Sequence, residues 1–114
     1  MNKVMTKTVL GDLSIRKADS FLSRLKGLLF TKKLESKHCL LIVPCSSIHT
    51  LGMRYAIHII FLSKNNTILA IRNNIKPNRF CIGPTPTYKV VELSADSIEL
   101  PLDIIGRKFS EDKL

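Results

Sequence analysis

The order of apolar and polar positions along the chain predicts a protein built mainly of short β-strands. Residues 39–43 and 56–62 are apolar at almost every successive position, which is typical of strands buried on both faces. Pro44 ends the first run, because proline lacks the amide hydrogen that a central strand uses. We therefore expect both runs to be central strands with little access to solvent.

Turn-forming residues divide the flanking sequence into further strands. Residues 63–66, with the sequence SKNN, separate residues 56–62 from the mainly apolar residues 67–71, and this order predicts a β-hairpin. Residues 3–10 predict an opening strand, and the Gly-Asp pair at residues 11–12 predicts the turn after it. The chain is therefore expected to begin with a second hairpin.

The remaining segments contribute one helix and two more strands. Residues 73–86 contain three prolines and one glycine, so they predict a long loop or an edge segment. Residues 88–93 predict a strand, and residues 108–109 a short final one. Residues 21–29 predict the only helix, because their apolar side chains recur along one helical face: Phe21, Leu22, Leu25, Leu28 and Leu29.

Six or seven short strands with one helix predict a mainly β architecture. We expect an antiparallel β-sandwich or small barrel with one short helix that flanks or plugs the sheet. A length of 114 residues suits a single domain spanning residues 1–114. No apolar run approaches the roughly 18–20 residues of a membrane span, and lysines occupy the N-terminus in place of a leader's apolar stretch. The predicted location is therefore the cytoplasm.

The distribution of charge narrows the range of ligands. The net charge is +9, yet no carboxylate lies between Glu35 and Glu92. This gap excludes a carboxylate pair, and a magnesium or calcium cage, from the central half of the chain. A ligand there is expected to be neutral or anionic. Only 6% of residues are aromatic and no recognition helix is visible, so we expect no specific nucleic-acid partner.

Cysteine usage predicts reduced thiols and no resident cofactor. Cys39, Cys45 and Cys81 are odd in number and widely spaced, without a C-x-x-C pair. Cys45, His49 and Met53 are soft or borderline ligands at steps of four and could hold Cu(I) or Zn²⁺. In an extended strand such positions are about 13 Å apart, so the set requires a turn. The alternative is a buried cysteine and methionine beside a hydrogen-bonded histidine.

Cys45 and His49 also form a candidate nucleophile and base. A group that orients the imidazole would have to come from Glu92, Asp103 or Thr50, since the central region has no carboxylate. Thr50 could instead satisfy local backbone groups, which is the commoner role of threonine in turns. Both roles stay open at the level of sequence.

Arginine and histidine residues near the same segment are candidates for an anion pocket. Arg24, Arg54 and His58 could bind a carboxylate or phosphate, because a guanidinium donates two parallel hydrogen bonds. The alternative is that the arginines pair with Glu92 or cap carbonyls, and that His58 is a hydrogen-bonded core residue.

Four motifs in linked order carry a resemblance to a known family: SRLKGLLF at 23–30, PCSSIHTLGMR at 44–54, IHIIFL at 57–62 and VEL at 91–93. Together they resemble the domain of unknown function 192 family, in its subgroup with a Cys-x-x-x-His-Thr-x-x-Met-Arg centre. The resemblance covers about residues 13–109 and implies a compact β-rich fold without a settled activity. His58 stands where the family usually has aspartate, and Asp96 where it usually has glycine.

These observations predict a small binding or accessory module rather than a defined enzyme. Residues 45–54 are expected to form a non-strand turn or loop that places His49 and Arg54 at the rim of a concave patch. The expected partner is an unknown protein or a small anionic ligand. The alternative is a small Cys/His enzyme or a soft-metal protein that uses Cys45, His49 and Met53.

Overall fold

A mixed six-stranded β-sheet forms the centre of the fold in a computed structural model, which describes residues 3–18, 37–96 and 100–114. The strand order is β1-β2-β3-β8-β5-β6, and a separate two-stranded sheet pairs β4 with β7. The strands are β1 (Lys3–Thr8), β2 (Gly11–Ala18), β3 (His38–Ile42), β4 (Ser47–His49), β5 (Ile57–Leu62), β6 (Ile68–Ile75), β7 (Phe80–Ile82) and β8 (Lys89–Ser94). A short 3₁₀ helix, η1, spans Leu102–Ile104.

The two apolar runs form interior strands, as predicted. β3 lies between β2 and β8, and β5 lies between β8 and β6. All six residues of β5 are buried, because both faces of this strand are covered. β5 and β6 form the predicted antiparallel hairpin, and Ser63 and Thr67 close its turn through a backbone hydrogen bond of 2.9 Å.

The structure confirms the mainly β class, and the large sheet is mixed where an antiparallel sandwich or small barrel was expected. β2 and β3 are parallel, in a register that runs from Ser14 beside His38 to Ala18 beside Ile42. Parallel neighbours require a long crossover connection, whereas a hairpin joins antiparallel ones. The sheet is also open and does not close into a barrel. The predicted helix at 21–29 and the candidate Arg24 lie outside the described residues.

Each face of the large sheet carries its own hydrophobic cluster. Side chains alternate between faces along a strand, so neighbouring residues belong to different clusters. The first face packs against the C-terminal segment, through Leu100, Ile104 and Phe109. The second face packs against the small sheet, through Ile48 and Cys81. The small sheet therefore covers the second face as a separate layer.

Local details of the predictions are refined by the structure. The first hairpin turns at residues 9–10, and Gly11 already pairs with Thr8 as the first residue of β2. Residues 73–86 were expected to be a long loop or an edge segment; β6 continues to Ile75, and β7 is an edge strand of the small sheet. The predicted final strand is reduced to a single bridge between Thr67 and Lys108. Within the described ranges, no helix is long and apolar enough to cross a membrane.

Candidate functional site

Thr50 joins the 45–54 segment to residues 76–79. Its side chain is fully buried, and its hydroxyl donates to the Lys76 carbonyl at 2.7 Å and accepts from the Arg79 amide at 2.9 Å. Its backbone amide donates to the Arg79 carbonyl, and its carbonyl accepts from the Asn78 amide, both at 2.9 Å. The Gly52 amide adds a bond to the Asn78 side chain at 3.2 Å. We call this set of hydrogen bonds the Thr50 clamp.

The clamp leads to a prediction about stability. Thr50→Val keeps the volume of the side chain but removes the hydroxyl, which leaves the Lys76 carbonyl and the Arg79 amide short of a buried partner. We expect the free energy of unfolding to fall by about 2 kcal/mol, measured by urea denaturation. Thr50→Ser retains the hydroxyl, so we expect it to lower the free energy of unfolding by clearly less. Equal losses in the two variants would contradict this role of the hydroxyl.

The 45–54 segment contains a short strand, which corrects the prediction that it lacks one. β4 pairs with β7 in the register Ser47–Ile82, Ile48–Cys81 and His49–Phe80. Ile48 and Cys81 point inward to the second face of the large sheet, and the other four side chains are exposed on the outer face. The strand was missed because its partner lies in the proline-containing stretch, for which the sequence left a long loop and an edge segment open.

His49 and Cys45 make separate contacts. The Nδ1 atom of His49 accepts a hydrogen bond from the Leu51 amide at 3.3 Å, and its ring centroid lies 6.0 Å from that of Phe80. Because Nδ1 is an acceptor here, the hydrogen of the neutral ring resides on Nε2. The Cys45 thiol donates to the Ser47 carbonyl at 3.0 Å. These contacts do not form a nucleophile–base pair.

Cys45 borders a shallow cleft on the protein surface. The cleft has a volume of about 380 Å³, and its lining residues are Pro44, Cys45, Ser46, Ser47, Thr87 and Tyr88. The Cys45 amide donates to the Tyr88 carbonyl at 2.8 Å, which fixes one wall of the cleft against the start of β8. All three cysteines of the chain are free thiols.

Met53 lies apart from His49. Its side chain is 8% exposed and belongs to the cluster on the second face, whereas His49 is exposed on the outer face of the small sheet. The structure therefore does not gather Cys45, His49 and Met53 around one point. Among the described residues, no group of three His, Cys, Asp or Glu side chains is arranged to hold a metal ion.

His58 is also separated from the other candidates. It is buried on the first face, opposite Leu93 of β8, and its Nδ1 atom accepts from the Asn74 amide at 3.0 Å. This arrangement matches the alternative of a hydrogen-bonded core histidine. Arg54, in contrast, is exposed.

Glu92, which the sequence offered only as a partner for His49 or for an arginine, is a buried carboxyl group. Glu92 is 5% exposed on the second face, where β8 places it between Leu40 and Ile59. Burial raises the pKa of this carboxyl from its ordinary value to about 8. Its position within the apolar run VVEL was the feature of the sequence that could have predicted its burial. Arg54 is exposed and forms no ion pair with Glu92, contrary to one of the sequence alternatives.

Arg16 occupies the same row of the sheet as Glu92, two strands away. Both residues pair in register with Leu40, which lies between them on β3. The Nε and Nη2 atoms of Arg16 are buried and have no hydrogen-bond partner among the described residues. The second face thus contains both an acidic and a basic group within its apolar surroundings.

The Thr50 clamp holds the backbones of Lys76 and Arg79, two exposed cationic residues, against Thr50, and the exposed Arg54 follows four residues later in the chain. We call Arg54, Lys76 and Arg79 the basic rim. No aspartate or glutamate occurs between residues 36 and 91, so no acidic residue from that stretch neutralises it. Lys76 and Arg79 were missed as candidates because they are 26 and 29 residues from Thr50 in sequence.

The comparisons with known proteins agree with this fold. The model of the domain of unknown function 192 family, described as an uncharacterized ACR, matches residues 3–105. The chain belongs to the domain of unknown function 192 family. The UPF0127 protein PF1050 of Pyrococcus furiosus is 35% identical over 86 residues, which are 70% of this chain and 71% of that protein.

Two solved structures share the fold of this family member. A Sinorhizobium meliloti protein, provisionally described as a transcription regulator, has a TM-score of 0.69 and 22% identity, over 82% of this chain and 79% of that one. A Novosphingobium aromaticivorans protein of unknown function has a TM-score of 0.67 and 19% identity, and the match covers 81% of this chain and 71% of that one. At these identities the likeness concerns the fold alone. The function of this member of the domain of unknown function 192 family must therefore be argued from its own side chains.

Proposed function

We propose that the protein is a binding module that holds an anionic ligand or acidic partner at the basic rim. The observation that carries this proposal is the Thr50 clamp. Its hydrogen bonds of 2.7 to 3.2 Å fix two separate loops to each other, and so fix the backbone positions of Lys76 and Arg79 relative to Thr50. A fixed backbone lowers the entropic cost of binding.

The chemistry of the rim favours carboxylate or phosphate groups. Arg54 and Arg79 each carry a planar guanidinium that donates parallel hydrogen bonds to such anions, and Lys76 adds a third charge. Their exposure allows a ligand to reach them without displacing core residues. It also means that salt weakens the attraction, since the screening length is about 8 Å at physiological ionic strength.

Chemistry by Cys45 and His49 receives less support. The hydrogen bonds of these residues, at 3.0 and 3.3 Å, run to backbone groups of Ser47 and Leu51 and stabilise the small sheet and its turn. A binding role needs no rearrangement of these bonds, whereas general base catalysis through Nδ1 would need one.

An NMR titration with phosphate and acetate at low ionic strength tests the proposal. We expect saturable shifts of the backbone amides at residues 50–54, 76, 78 and 79, since residue 77 is proline and has no amide hydrogen. Arg54→Gln is expected to weaken phosphate binding several-fold, because one of the two guanidinium groups is lost. The matched control is Arg107→Gln, since Arg107 is exposed on the C-terminal segment.

The proposal fails if shifts spread evenly over the lysine-rich surface, or if Arg54→Gln and Arg107→Gln weaken binding equally. Either result would mean that only the net charge of +9 attracts anions.

A further inference from the structure

The outer face of the small sheet exposes two large apolar side chains. Phe80 and Ile82 occupy alternate positions of β7 and are 75% and 77% exposed. Ser47 and His49 lie opposite them on β4 and are also exposed. Alternate positions of one strand share a face, so the two apolar side chains form a continuous patch. A patch of this kind commonly marks a contact surface for another molecule.

The hydrogen bonds between β4 and β7 leave the main chain of β7 available on its other edge. The Gly83 amide donates to the Ser46 carbonyl at 2.8 Å, and the Thr50 amide donates to the Arg79 carbonyl at 2.9 Å. Antiparallel strands alternate between residues that bond to each other and residues whose polar groups point away. Phe80 and Ile82 are in the second set, so their amides and carbonyls point to the free edge.

In the described part of the chain the small sheet has only the strands β4 and β7, so no strand of the described residues pairs with the other edge of β7. The edge of β7 therefore presents alternating donors and acceptors beneath an exposed apolar patch. This combination is what an extended peptide uses when it adds to a sheet.

The basic rim determines the charge of the occupant. Arg79 precedes β7 directly, and Lys76 lies three residues further back. With no carboxylate between residues 36 and 91, an added strand that carries acidic side chains would be attracted, and a basic one repelled.

We propose that an acidic, extended segment of a partner protein adds to the free edge of β7 as a third strand. Apolar side chains of the segment cover Phe80 and Ile82, and its carboxylates contact Arg79 and Lys76. This inference rests on the proposed function, since it identifies the partner that the basic rim holds.

A protein segment fits the surface better than a nucleic acid does. The edge of β7 offers carbonyl acceptors as well as amide donors, and a phosphate backbone can bond only to the donors. Phe80 and the imidazole of His49 are the only aromatic rings on the described outer face of the small sheet, and Ile82 beside them is aliphatic, whereas single-stranded nucleic acids stack on several aromatic rings.

The test uses the full chain and a capped peptide of about eight residues in which valine and glutamate alternate. We expect the amides of Phe80 and Ile82 to exchange with solvent about tenfold more slowly at saturating peptide. The same peptide with N-methylated valines, and one with lysine in place of glutamate, are expected to lose this protection. The first lacks strand hydrogen bonds and the second reverses the charge.

Two variants localise the contact. Ile82→Thr keeps a β-branched residue but removes apolar surface, and we expect it to weaken peptide binding about tenfold. Leu102→Thr is the matched control, because Leu102 is 62% exposed on η1, outside both sheets. A parallel phosphate titration reports on the basic rim alone.

The outcomes separate the two proposals. Phosphate binding without slower hydrogen exchange at the Phe80 and Ile82 amides would overturn strand addition and leave the proposed function standing. Absence of phosphate binding at residues 50–54 and 76–79 would overturn the proposed function. Strand addition at β7 would also be overturned if the peptide slowed the exchange of amides at the edges of β1 or β6 instead. The same holds if oligothymidylate bound more tightly than the peptide.

Discussion

Raising the pH from about 5 to 8 is expected to lower the free energy of unfolding by about 3 kcal/mol through Glu92 alone. The folded protein holds the pKa of this buried carboxyl at about 8, above its ordinary value of 4.5. Between these values the folded state keeps a proton that the unfolded state releases. The stability is therefore fully present below the ordinary pKa and is lost as the pH rises through about 8.

Glu92→Gln isolates this effect, because the amide is nearly isosteric and does not ionise in this range. We expect urea denaturation to give similar stabilities for the wild type and Glu92→Gln near pH 5, and a higher stability for the variant at pH 8. Glu111→Gln is the control, since Glu111 is exposed on the C-terminal segment. A wild-type pH slope that persists in Glu92→Gln would refute the assignment.

Phe61→Ala is expected to lower the free energy of unfolding by about 3 to 5 kcal/mol. Phe61 is fully buried in the central strand β5 and belongs to the cluster on the second face. Removing its ring leaves a cavity between the large sheet and the small one. Denaturant unfolding measures the loss, and Ile105→Ala provides a control at an apolar position that is 45% exposed. A loss below about 1 kcal/mol would show that the two layers do not depend on this ring.

Gly83 sets how closely the small sheet approaches Phe61. A Cβ atom at residue 83 would lie 2.6 Å from Phe61 Cδ1 and 2.7 Å from Thr87 Oγ1. Thr87 is held by a hydrogen bond of 2.6 Å to the Pro84 carbonyl, so its side chain does not yield easily. We expect Gly83→Ala to cost about 1 to 3 kcal/mol, and Phe61→Leu to relieve part of that cost in the double variant. If the stability losses of Gly83→Ala and Phe61→Leu were strictly additive in the double variant, residue 83 would not be in contact with the ring of Phe61.

The sequence by itself determined the elements whose signals are local. β3 and β5 follow from continuous apolar runs, and the β5–β6 hairpin follows from the polar turn between two such runs. The mainly β class and the interior positions of both strands follow as well, because a strand that is apolar on both faces must be covered on both. The sequence also singled out residues 45–54 as the segment most suited to recognition.

Tertiary structure alone decided how the candidate residues are grouped. Alternation along β5 puts His58 on the first face, and the outward face of β4 separates His49 from Met53. The same fold adds partners that no local pattern connects with Thr50, since its hydroxyl reaches backbone groups 26 and 29 residues away.

The proline-containing stretch 73–86 shows why this grouping was hidden in the sequence. Its composition favours a loop, yet three of its residues form β7, because pairing with β4 satisfies their backbone groups and burial of Cys81 covers the second face. The whole scale of β-propensity spans only about 1 kcal/mol per residue, and long-range pairing with burial outweighs it. The sequence therefore determined the strands of the large sheet. The tertiary contacts between distant segments decided which polar and apolar side chains share one surface.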